Sequence, residues 1–187
     1  IVGNKVILNT GSFNLTWTGA ALNGMWDIVS PGNWTAGGTS MVFSNGSGVT
    51  FGNTAVDGNV HIASLVQPSS ITFDNDSAHN YVLTDEGGGS VSGTTLTKNG
   101  NGTAVINVPL SLSVGIALNA GNLEIRPSAL SGSPVVLDKP VTGSGTLAVA
   151  NSTNDPVTVS NANTGFTGPV VIAKGGVQAT ASNALGS

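Results

Sequence analysis

Strand-length runs of β-branched and aromatic residues alternate with turn-forming residues along the whole chain. Phe13–Trp17, Ile71–Phe73 and Tyr81–Thr84 are such runs, and residues 5–8 form another. Glycine, asparagine and aspartate bound these runs, and they tolerate the backbone angles of tight turns. No segment shows a helical hydrophobic period of useful length, so the pattern predicts an all-β fold.

The composition predicts a folded chain with few charged partners. Only 7% of the 187 residues are charged, but 39% are hydrophobic, which is more than disordered chains contain. Five lysines and arginines stand against nine aspartates and glutamates, so there is no basic stripe for nucleic acid or an anionic membrane. No apolar run approaches the roughly 20 residues of a membrane-spanning helix. The absence of cysteine leaves packing and backbone hydrogen bonds to stabilise the fold.

Glycine recurs at the length of a solenoid coil in the second half of the chain. The intervals are 21, 22 and 22 residues, between Gly100, Gly121, Gly143 and Gly165. Three glycine-led segments, 93–98, 121–125 and 145–149, also share an alternating apolar pattern and are interpreted as one repeated rung. A single coil cannot bury its inward face, whereas coils stacked at ~4.8 Å form a continuous core. The sequence therefore predicts a parallel β-solenoid.

The composition changes once along the chain. Residues 1–45 contain all three tryptophans, and the later residues are mostly aliphatic, glycine, serine and threonine. The end of a solenoid needs a cover over its open core. We therefore predict an N-terminal cap region over residues 1–45 and one continuous solenoid domain over residues 46–187.

Two segments resemble the autotransporter-associated β-strand repeat, also called the passenger-associated transport repeat. Leu96–Thr103 is similar to its first half, and the more specific match is Ser160–Ile172, continued by Gly175–Ala179 and Asn183–Gly186. Segments 16–19, 24–27, 32–35 and 42–43 are similar to the region that precedes such repeats in exported proteins. The resemblance implies a right-handed parallel β-helix outside a bacterial cell, often in adhesins. It implies no enzymatic activity.

Three tryptophans carry the sharpest functional hypothesis. Trp17, Trp26 and Trp34 lie within 18 positions, among asparagine, glycine and threonine. Flat indole faces stack on sugar rings, so these residues are candidate carbohydrate-binding residues. The favoured alternative is that they cap the core. Exposed, coplanar rings would indicate a sugar platform, whereas buried rings would indicate a cap.

The charged residues do not form a recognisable catalytic or metal-binding motif. An enzymatic alternative requires a groove that holds two or more carboxylates with a cation nearby, such as Asp74, Asp76, Asp85 and Arg126 brought together by stacking. Asp74 and Asp76, followed by Asp85-Glu86, also raise a calcium site, but solvated turn carboxylates are the favoured interpretation. His61 and His79 lack a recognised zinc spacing and are assigned to surface or strand edges. Lys98 is assigned to a solvated turn, where its replacement by alanine is expected to be tolerated.

The function expected from the sequence is structural. We expect a non-catalytic module of a secreted or surface protein, without cofactor or metal, that serves adhesion or end-to-end self-assembly. The alternative is a carbohydrate-binding module of an exported glycan-degrading enzyme, with a polysaccharide as partner. The position of the tryptophan rings distinguishes the two.

Overall fold

The computed structural model describes residues 13–26, 28, 32–126, 135–151 and 156–187. The predicted strand at residues 5–8 lies outside these ranges, as do parts of the predicted cap region. The described residues form strands and no helix, which confirms the all-β prediction. In chain order the strands are β1 (Asn14–Trp17), β2 (Trp34–Ala36), β3 (Thr39–Met41), β4 (Gly48–Phe51), β5 (Asn59–Ile62), β6 (Leu65–Val66), β7 (Ser70–Phe73), β8 (Tyr81–Asp85), β9 (Ser90–Lys98), β10 (Thr103–Asn107), β11 (Leu110–Leu118), β12 (Asn122–Ile125), β13 (Val136–Leu137), β14 (Val141–Thr142), β15 (Thr146–Ala150), β16 (Val157–Val159), β17 (Val170–Lys174) and β18 (Val177–Ala179).

The strands stack as a parallel β-solenoid of about five turns. The first face contains β1, β4, β7, the second half of β9, the second half of β11 and β14. The second face contains β5, β8, β10, β12, β15 and β17. The third face contains β6, the first halves of β9 and β11, and the ladder β13-β16-β18. The predicted solenoid is therefore confirmed.

Alternating residues of each strand point inward and stack in columns through successive coils. One column on the second face runs through Val60, Leu83, Ile106, Ile125, Val149 and Ile172. The first five of these side chains are at most 2% exposed. Each buried aliphatic side chain stabilises the fold by roughly 1.5–3 kcal/mol. The columns therefore replace the central core of a compact domain.

The glycine spacing reflects two different columns. Gly121 has φ +67°, and a Cβ there would lie 2.4 Å from the Gly100 carbonyl oxygen, so these two turns lie against each other. Gly143 instead stacks with Gly165, whose carbonyl oxygen accepts its amide at 2.9 Å. The neighbour of Gly121 in the next coil is Gly145, because Asn122 pairs with Thr146. Segments 121–125 and 145–149 thus form the same rung position, but segment 93–98 lies on the first face.

The N-terminal end of the core is covered by an antiparallel hairpin. Strand β2 pairs with β1 and β3 pairs with β2, both antiparallel. Strand β1 itself is parallel to β4, with Leu15 opposite Val49. Residues within the predicted cap region therefore supply both the cap and the first rung of the ladder.

The C-terminal end of the second face is open in the described part of the chain. Ile172 ends the aliphatic column and is 51% exposed, whereas Val149 beneath it is 1% exposed.

Among the described residues there is no apolar helix of membrane-spanning length.

Candidate functional site

The three tryptophans form one aromatic cluster at the N-terminal end of the core. Trp17, Trp26 and Trp34 are 0%, 3% and 1% exposed. The ring centroids of Trp17 and Trp34 lie 5.0 Å apart at an interplanar angle of 79°. Trp26 and Trp34 also lie 5.0 Å apart, at 64°. Phe43 and Phe51 complete the cluster. Edge-to-face contacts of this kind stabilise aromatic cores.

This geometry supports the cap and offers no sugar platform. The rings are buried and steeply inclined, so no indole face is open to a glycan. Trp17 Nε1 donates to the carbonyl oxygen of Asp57 at 2.8 Å, which ties the cap to the first coil. Trp26 Nε1 and Trp34 Nε1 are buried without an acceptor among the described residues. The indole rings thus cover the aliphatic side chains of the first coils, although two indole N–H groups make no hydrogen bond among the described residues.

The carboxylates singled out from the sequence have separate local partners. Asp85 is 4% exposed, and one carboxylate oxygen accepts hydrogen bonds of 2.7–2.9 Å from the amides of Gly87, Gly88 and Gly89. Asp76 lies 2.7 Å from His79 Nδ1, and this hydrogen bond lowers the pKa of Asp76. Within the described ranges, no three metal-binding side chains converge. The structure therefore does not assemble these carboxylates into one site.

Two further charged pairs among the described residues are also local. Arg126 Nε donates to Glu124 at 2.6 Å, two positions away along the same strand end. His61 Nδ1 lies 2.5 Å from a carboxylate oxygen of Glu86. Asp74 is exposed on its turn. The structure does not gather Asp74, Asp76, Asp85 and Arg126 into one cluster.

The prediction of a solvated Lys98 is wrong. The side chain is fully buried, in the column where Phe73 lies in one neighbouring coil and Leu118 in the other. Its Nζ donates to the carbonyl oxygen of Gly100. Truncation to alanine would leave a cavity between the two coils and remove the donor of that carbonyl. We therefore expect Lys98→Ala to destabilise the fold.

The burial of Lys98 predicts an unusual dependence of stability on pH. Desolvation lowers its pKa from 10.5 to about 8, against the opposing attraction of Asp74. Between pH 8 and 10 the unfolded chain keeps a proton that the folded chain has released. The free energy of unfolding is therefore expected to rise with pH, by about 2 kcal/mol between pH 7 and 10.

Urea unfolding at pH 7, 8, 9 and 10 measures this rise. The matched control is Lys98→Met, which keeps an unbranched side chain in the column and removes the titrating group. Tyr81 acts in the opposite direction from about pH 9 upward, in the wild type and the variant alike, because burial raises its pKa to about 12 while the unfolded phenol titrates near 10. Equal pH slopes in the wild type and the variant would contradict the assignment to Lys98.

A ladder of threonines lies on the outward side of the first face. Strand pairing places five threonines in one column, with Ala117 between the last two: Thr16, Thr50, Thr72, Thr97 and Thr142. Each hydroxyl can donate and accept a hydrogen bond, and adjacent strands hold them ~4.8 Å apart. The side chains are part-exposed or exposed. The ladder is a regular, uncharged surface along the solenoid axis.

Sequence reasoning did not identify this ladder or the buried lysine, although one repeated three-residue pattern indicates both. Val49-Thr50-Phe51, Ile71-Thr72-Phe73 and Leu96-Thr97-Lys98 share the order aliphatic, threonine, large side chain. Aligned in register, they place the threonines outward and Lys98 inward, in the position of the two phenylalanines.

Comparison of the chain with protein-family models, curated proteins and solved structures finds no match. The resemblance to the autotransporter-associated repeat therefore remains a prediction.

Proposed function

We propose that this chain is a non-catalytic structural and adhesive module of a bacterial surface or secreted protein. The observation that carries the proposal is the threonine ladder on a frame of stacked coils. The frame fixes the hydroxyl spacing through backbone hydrogen bonds, so little side-chain entropy is lost on contact. A neutral face also binds without the salt sensitivity of charged surfaces.

The proposal includes end-to-end association of copies. The N-terminal end is closed by the aromatic cap, whereas Val171 and Ile172 are 44% and 51% exposed at the other end. An edge strand with exposed aliphatic side chains favours the addition of another strand. This edge is the surface of the described chain that an added strand would extend.

The alternative of a carbohydrate-binding module loses its original support, because the tryptophan rings are buried. A glycan partner remains compatible with the proposal through other surfaces. The test must therefore distinguish adhesion from catalysis.

Adhesion of coated beads under flow tests the proposal. Beads carrying the chain are expected to be retained on polysaccharide- or protein-coated surfaces above albumin-coated beads, and to release no reducing sugar. The double variant Thr72→Lys/Thr97→Lys places two charges in the ladder and should abolish retention on the protein-coated surfaces. Its matched control is Thr158→Lys/Gln178→Lys, a stacked outward pair on the third face.

Two results would contradict the proposal. One is retention equal to that of albumin-coated beads on every surface, with the fold verified by circular dichroism. The other is the release of reducing sugar from any of the polysaccharides, because a purely structural module has no catalytic activity.

A further inference from the structure

An open groove of about 750 Å³ crosses the outer side of the second face. It runs over β12, β15 and β17 and the turns that precede them. We call it the amide groove, after its polar wall of Asn101, Asn119, Asn122, Ser144 and Thr146.

The groove combines an amide wall with an aliphatic floor. Ala148, Val171 and Ala173 contribute methyl groups to the floor. Amide and hydroxyl groups of the wall both donate and accept hydrogen bonds. The complementary ligand therefore presents alternating hydroxyls and C–H faces, as sugar rings do.

The charge of the groove disfavours anionic ligands. Among the described lining residues the charged one is Glu124, whose carboxylate is held by Arg126 Nε at 2.6 Å, and none is a lysine or arginine. A phosphate, sulfate or uronate would meet a carboxylate without a free cation, so the ligand is not an anion.

One wall residue has an unused acceptor. Asn122 Oδ1 is buried and has no hydrogen-bond donor among the described residues. A buried acceptor without a partner destabilises the state that contains it. Because Asn122 Oδ1 accepts no hydrogen bond, rotation of the side-chain amide toward the groove breaks none at this oxygen. A hydroxyl group of a bound ligand would then donate a hydrogen bond to it.

We propose that the amide groove binds a neutral oligosaccharide that runs across the strands. The groove crosses three strands spaced ~4.8 Å apart, which is comparable with the advance of one pyranose ring in an extended glycan. Strands β12 and β15 contribute polar wall residues, and β15 and β17 contribute the aliphatic floor, so a sugar chain laid across them would meet hydrogen-bonding groups first and methyl groups next. This site goes beyond the adhesive ladder, because it lies on a different face of the solenoid.

Isothermal titration calorimetry with neutral hexasaccharides tests the site. The probes are β-1,4-linked glucose, mannose and xylose oligomers, with an oligogalacturonate as the charged comparison. At least one neutral probe is expected to bind, and the oligogalacturonate is not. Asn119→Ala/Asn122→Ala should weaken binding by about tenfold or more, since two amide contacts are lost.

Two further variants keep the test independent of folding and of the adhesive ladder. Ala173→Arg is exposed on the groove floor and should block binding sterically without removing an amide. Thr72→Ala/Thr97→Ala alters the ladder alone and should leave binding unchanged. The site would be overturned if no neutral probe binds, if the groove variants bind as the wild type does, or if the oligogalacturonate binds equally well. Each of these results leaves the bead-retention test of the ladder unaffected.

Discussion

Replacement of Leu147 by aspartate is expected to abolish the folded state. Leu147 is 3% exposed and stacks between Leu123 and Val170 in an inward column. The change removes buried aliphatic contacts and places an unpaired carboxylate in the core, which together cost about 5 kcal/mol or more. Since a domain is typically stable by only about 5–15 kcal/mol, most or all of the stability is lost.

Circular dichroism and thermal unfolding measure this effect. The matched control is Thr158→Asp, which introduces the same carboxylate at an outward position on the next strand of the same coil. Its effect should stay within about 0.5 kcal/mol. Similar melting temperatures for the two variants would show that the inward columns do not form the core.

Replacement of Asn163 by alanine should have the second largest effect. Asn163 is 2% exposed and joins three successive coils. Its Oδ1 accepts the amide of Val141 at 2.8 Å, and its Nδ2 donates to the carbonyl oxygen of Ala184 at 2.6 Å. Alanine leaves both backbone groups buried and unpaired, at a cost of about 2–4 kcal/mol.

Urea unfolding and amide hydrogen exchange measure the loss. Faster exchange is expected at residues 165–187, which the Asn163 side chain connects to the preceding coils. Asn161→Ala is the control, because its side chain makes one solvent-facing hydrogen bond of 3.2 Å to the Asp138 carbonyl oxygen. Equal loss of stability in the two variants would contradict the bridging role of Asn163.

The fold class could be predicted because its signals are local. Alternation in Tyr81–Thr84 and Ile71–Phe73, bounded by turn residues, specifies strands without reference to distant contacts. The coil length was less regular than the glycine spacing suggested. Gly48 pairs with Ser70, but Ser70 pairs with Thr95, because turns of different length join equivalent strands.

Features that depend on register could not be predicted from single segments. Lys98 precedes the polar turn 99–102, and that local context indicates solvent exposure. Only the pairing of Phe73 with Lys98 places the side chain in the core. The amide groove likewise arises from turns and strands of separate coils, so no short motif contains it.

The burial of the tryptophan rings also could not be predicted from the sequence. Their number and spacing identified a special region, but a sugar platform and a cap use the same residue type. The antiparallel hairpin of β2 and β3 decides which side the rings face, and it lies outside the repeat pattern.

The parallel stacking of coils is tested most directly by a distance between two spin labels. The chain contains no cysteine, so Thr50→Cys/Thr142→Cys gives two unique labelling sites on the threonine ladder. Four strand spacings separate β4 from β14 on the first face, which predicts about 19 Å between the two backbones. Double electron–electron resonance should show one narrow distribution near that distance. A broad distribution, or a separation beyond ~30 Å, would contradict the stacked solenoid.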